Sequence, residues 1–118
     1  MKKPLITCLV ALSGFVSQFA LAGNCEINIT RTACPGQEQV SYQKCNGQQS
    51  CTEASVQADA AACKAHAVSA CENQRLTVTK SKVITAKFDG QALKTDKDQA
   101  DFCLAYANRA TEFDKCGQ

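Results

Sequence analysis

Eight cysteines constrain this chain more than any other feature: Cys25, Cys34, Cys45, Cys51, Cys63, Cys71, Cys103 and Cys116. No two are adjacent, and the closest spacing is C-x5-C. A ninth, Cys8, lies in an apolar N-terminal stretch behind Lys2 and Lys3, which ends in Ala20-Leu21-Ala22. A positive start, an apolar run and a small-x-small site predict a secretory signal peptide over 1–22. Ser13, Gly14, Ser17 and Gln18 interrupt the apolar run, so no transmembrane segment is expected in the mature chain. Cleavage leaves 23–118, one domain, with an even number of cysteines. An even count in an exported chain reads as a disulfide framework, which places the protein in the periplasm or outside the cell.

The core that these bridges reinforce is thin. Leu, Ile, Val and Phe supply 14 of the 96 residues after 22, a share usually found in disordered chains. Four bridges at about 2–4 kcal/mol each rival the net stability of an ordinary domain, about 5–15 kcal/mol. Loss of Lys2 and Lys3 takes Lys plus Arg from 13 to 11, against 11 Asp plus Glu. A near-neutral domain lacks the basic excess of a nucleic-acid binder, so no nucleic-acid partner is expected.

The pattern along the chain predicts the order ββαββα. Residues 25–34 alternate, with Ile27, Ile29 and Ala33 on one face and Arg31 breaking the row. A second strand is expected over 39–45, with Val40 and Tyr42 on one face, between Pro35-Gly36 and Asn46-Gly47 turns. Ser50 and Glu53 form a capping box, and the alanine-rich segment after them, with no breaker before Asn73, predicts a helix that starts at Ser50 and carries Cys51, Cys63 and Cys71. Its stripe is narrow: Val56, Ala60, Cys63, Ala67, Ala70 and Cys71. Strands are expected over 76–79 and 83–88, then an Asp89-Gly90 hairpin turn and a short return strand over 91–94. A last helix is expected over 97–114, with Phe102, Tyr106 and Phe113 on one side. The fold class is therefore α+β: a small disulfide-rich domain, an antiparallel sheet with two helices on one face.

Geometry prunes the disulfide pairings. Cys63 and Cys71 lie eight residues apart, about 12 Å along a helix, whereas bridged Cα atoms lie within about 7 Å. On an unbroken helix Cys51, Cys63 and Cys71 cannot pair with one another. Cys25 with Cys34 spans a strand and Cys103 with Cys116 most of a helix, so both are set aside. If Cys45 and Cys51 close the short loop between them, eight pairings survive. In each, Cys63 and Cys71 take one partner from the N-terminal strand and one from the C-terminal helix, and the remaining pair joins those two regions.

Motifs for chemistry are sparse. There is one histidine, no G-x-S-x-G and no H-E-x-x-H, so no catalytic residue is nominated and an enzyme is not expected. C-x-x-C is absent, which argues against thioredoxin-like exchange. Cys63, His66 and Cys71 share one region of the helix and form the alternative reading, a periplasmic metal-binding protein; otherwise no cofactor is expected. A small secreted enzyme or toxin is the second alternative. Between Arg75 and Lys97 six basic residues face Asp89 and Asp96. Within that run Lys80, Lys82 and Lys87 are the candidate residues for a protein or anionic surface partner. The expected function is thus a small exported interaction protein, an inhibitor or accessory factor.

Overall fold

Strand β1, Gly23–Ala33, organises the fold. The computed structural model describes residues 22–118; the expected leader over 1–22 lies outside the described residues, except for Ala22. Alternation along β1 buries Cys25, Ile27 and Ile29 completely or nearly so. β1 pairs antiparallel on one side with β2, Ser50–Gln57, and on the other with β3, Thr79–Phe88. Asp89, φ 49°, and Gly90, φ 82°, then turn the chain into β4, Gln91–Ala92. The left-handed pair is what a two-residue hairpin loop requires. Among the described residues the sheet order is β2-β1-β3-β4.

Register places Ile27 opposite Ala86 and Ile29 opposite Ile84. A slip by one residue would turn this whole row to solvent. The opposite face of β1 is polar: Asn28 donates to Thr52 Oγ1 at 3.1 Å, and Thr30 donates to Ser50 Oγ at 3.0 Å.

Two short helices and one longer one join the strands: α1, Glu38–Ser41; α2, Ala60–Ser69; and α3, Arg109–Glu112. α2 is capped by Asp59, whose Oδ1 accepts from Ala62 N–H at 2.8 Å. Cys63 and Ala67 are fully buried, as is Cys71 just past the helix end. Their small side chains let the helix sit against β1 and β3. Phe102 and Phe113 close the core, with Tyr106 packed beside Phe113 at 6.4 Å between ring centroids. The architecture is the expected α+β, disulfide-rich antiparallel sheet.

The order of elements differs from ββαββα in four places. The strand expected over 39–45 is α1 followed by a 3-10 turn, Tyr42–Cys45. Val40 is 42% exposed, so the two-residue apolar row had nothing to pack on; the buried residue is Ser41 between them. The helix expected from Ser50 begins at Ala60, because Ser50–Gln57 takes the second edge of β1 as a strand. Main-chain pairing with β1 outweighs the local propensity of that segment. The strand expected over 76–79 is a turn through Val78, whose N–H donates to Arg75 O at 3.1 Å. The strand expected over 83–88 starts earlier, at Thr79, with Lys80 absorbed as a register shift opposite Thr32 and Ala33. The helix expected over 97–114 is a 3-10 turn, Phe102–Ala105, and α3. Asp101 Oδ1 accepts from Ile84 N–H at 3.1 Å and from Cys103 N–H at 2.9 Å, pinning this segment to the β3 edge and ending any helix through it.

The bridges are Cys25–Cys63, Cys34–Cys116, Cys45–Cys51 and Cys71–Cys103, with Cα separations of 5.5, 5.6, 5.5 and 5.4 Å. This is one of the eight pairings that geometry left. Cys63 ties α2 to β1, and Cys71 ties its far end to the C-terminal segment. Cys51 is excluded from the other two by lying on β2, not by a shared helix.

Candidate cationic pocket

The inward row of β1 runs Cys25, Ile27, Ile29 and then Arg31, which is 6% exposed. The inward row of β3 runs Ala86, Ile84 and then Lys82. Register sets Arg31 directly opposite Lys82. Arg31 N–H donates to Gln49 O at 2.9 Å, toward the β2 side. Arg31 and Lys82 are therefore a non-hydrogen-bonded cross-strand pair, the type with Cα atoms only about 4.5 Å apart. Like charges at such positions repel. The sheet's apolar floor thus ends in two facing cations.

Three other elements wall this end. α1 and its 3-10 turn bring Ser41 and Lys44, and the loop after α2 brings Glu72, Asn73 and Arg75. Together with Arg31, Thr79 and Lys82 they enclose about 170 Å3. Asn73 welds the loop in place. Its Nδ2 donates to Thr79 O at 2.8 Å and Glu112 O at 2.9 Å, and its Oδ1 accepts from Arg75 N–H at 3.2 Å. Ser41 Oγ and Thr79 Oγ1 share a hydrogen bond of 2.7 Å. Arg75 Nη1 donates to Val40 O at 3.1 Å, bracing the loop against α1.

The charges are poorly compensated. Arg31 makes one side-chain hydrogen bond, from Nη1 to the Cys45 sulfur at 2.9 Å, a weak acceptor for a group with five N–H donors. Lys82 Nζ donates to Ala70 O and Glu72 O at the end of α2, where the helix carries partial negative charge. Among the described residues the ion pair within 4.0 Å is Lys94–Asp98, on the surface. None of Arg31, Lys44, Arg75 and Lys82 has a carboxylate that close. Burial, and after it the nearby Arg31 and Lys44, pushes Lys82 down to about 8, with Glu72 and Glu112 opposing. Burial foremost, with Arg75 adding, also holds Arg31 below its ordinary value against the pull of Glu53. Counting Glu72, the formal charge on the lining is +3. The pocket offers hydrogen-bond donors and positive charge.

A larger groove of about 550 Å3 runs between the β3 edge and the C-terminal segment. There Lys82, Arg109 and Lys115 are offset by Asp101 and Asp114, so it lacks the same charge imbalance.

The three lysines nominated from sequence do not share a face. Lys82 points inward to the pocket, Lys80 sits exposed at the register shift, and Lys87 is exposed opposite Glu26 on the outer face. Arg31 was visible as the break in an inward row, while Lys44 carried no signal. The metal alternative at Cys63, His66 and Cys71 is corrected by the bridges: Cys63 and Cys71 are bonded to Cys25 and Cys103 and have no thiolate to offer. No protein family, curated protein or solved structure matches this chain.

Proposed function

We propose that this chain is a small exported binding protein, an inhibitor or accessory factor rather than an enzyme, that engages an anionic partner through the Arg31–Lys82 pocket. One observation carries the reading: four cations converge on one small cavity, and none has a carboxylate within 4.0 Å. A sheet under no such demand would continue the apolar row of Cys25, Ile27 and Ile29 through position 31. Four disulfides suit an oxidising compartment outside the cytoplasm.

The test uses a sulfonate resin at low salt and the oxidised protein as exported. The double variant Lys44→Gln/Arg75→Gln should lose retention. Lys94→Gln/Lys97→Gln removes the same charge elsewhere and should keep most of it. Equal loss from the two would reduce the effect to net charge and overturn the pocket reading.

A further inference from the structure

We infer that the group bound in this pocket is a tetrahedral oxyanion, a phosphate or sulfate, and not a carboxylate. The inference rests on the binding function proposed above and names its ligand class.

Charge is the first argument. The lining carries +3 with Glu72 counted. A carboxylate would leave two positive charges uncompensated around a largely buried guanidinium; a dianion leaves one. Burying charge without compensation is costly, so the dianion fits better.

Donor geometry is the second. Arg31 has spent one of its five N–H donors, on sulfur, and Arg75 has spent one on Val40 O. Lys82 has spent two of three. The Ser41–Thr79 pair consumes one hydroxyl proton and keeps another. The free donors reach the cavity from β1, β3, the 3-10 turn after α1 and the loop after α2. Donors arriving from four directions match an acceptor with oxygens on all sides. Guanidinium groups take carboxylate and phosphate alike in paired hydrogen bonds, but a carboxylate presents its oxygens in one plane and a tetrahedral oxyanion presents them on all sides.

Size is the third. At about 170 Å3 the cavity falls below the roughly 300–1,000 Å3 of sites that enclose a drug-sized molecule. It accommodates one oxyanion group, either free or as the head of a larger molecule that stays outside.

The experiment is a titration of the isotope-labelled, oxidised protein with sodium phosphate, sodium sulfate and sodium acetate, at neutral pH and constant ionic strength. Amide and guanidinium shifts of Arg31, Arg75 and Lys82 are followed. Phosphate or sulfate should give saturable shifts at these residues, and acetate at equal concentration only small linear ones. Arg31→Gln should weaken binding at least tenfold. Lys44→Gln, at an exposed position, should weaken it several-fold and keeps the test decisive if Arg31→Gln misfolds. Acetate saturating as strongly as phosphate would overturn the oxyanion class while leaving the binding function intact. No response to any of the three, with sulfonate retention still dependent on Lys44 and Arg75, would overturn the class likewise. No response together with charge-blind retention would sink both. Sedimentation with phosphatidic acid vesicles, against phosphatidylcholine alone, separates the sources. Co-sedimentation lost in Lys44→Gln assigns the group to a lipid head, and its absence beside a saturable phosphate titration assigns it to a soluble anion.

Discussion

Replacing Lys82 with methionine should remove a rise in stability with pH. Lys82 lies half-buried opposite Arg31, and its folded value is about 8 against 10.5 unperturbed. Below pH 8 both states hold the proton, and the folded state bears the cost of a buried charge, to which the nearby Arg31 and Lys44 add. Between about 8 and 10.5 the folded state has released that proton while the unfolded state keeps it. The unfolded state then binds more protons, so unfolding free energy rises with pH across this window. The gap between 10.5 and about 8 corresponds to a ceiling of about 3.4 kcal/mol. Lys82 remains partly open to solvent, which weakens both the burial cost and the repulsion and reduces the expected gain to about 1–2 kcal/mol. Urea is the denaturant to use, since guanidinium would screen the effect. The wild-type protein should gain that amount between pH 7 and pH 9.5, and Lys82→Met should show a flat profile. Methionine also forfeits two hydrogen bonds to the end of α2, about 1 kcal/mol each. The pH slope is therefore the diagnostic quantity, not stability at one pH. Among the described residues all eight cysteines are paired, so none of them offers a thiolate to start exchange at the alkaline end. Burial and Glu112 raise Tyr106 above its ordinary value, further from the pH 7 to 9.5 range that is measured. Parallel profiles for the two proteins would refute the cost assigned to the buried Lys82 charge.

Two further outcomes follow from how the chain is tied. Removing Cys25–Cys63 by a double alanine substitution should cost about 4 kcal/mol and removing Cys45–Cys51 about 2 kcal/mol from loop entropy alone, since their sequence separations are 38 and 6. The first pair is also fully buried, which widens the difference; urea midpoints in the opposite order would contradict it. Asn73→Ala should cost about 2–4 kcal/mol, because two carbonyls and an amide lose their partners in a buried place. Asn28→Ala on the open face of the sheet should cost under about 1 kcal/mol, and equal losses at the two positions would count against the welding role of Asn73.

Expectation and structure agree where one residue's chemistry is enough. Asp89-Gly90 and Asn46-Gly47 adopt left-handed turns because those residues tolerate them. The alternation of β1 and the burial of Cys63, Ala67 and Cys71 are equally local, since both follow from the period of the backbone. The disagreements share a cause. Ser50–Gln57 reads as a capped helix in isolation, yet β1 has an open edge that only a strand can satisfy. The segment after Asp96 reads as a helix until Asp101 is spent on the amides of Ile84 and Cys103.

The pocket divides along the same line. The sequence by itself determined an α+β chain stapled by disulfides, with a bridge between Cys63 and Cys71 ruled out, and it marked Arg31 as an oddity in an apolar row and Lys82 as one basic residue among several. Only the tertiary structure decided that these two face each other, with Lys44 and Arg75 closing the same cavity. Cross-strand register is set by the summed burial of both rows and by the bridges at their ends. No local window of sequence contains that sum, so a site made by register becomes visible only once the strands are paired.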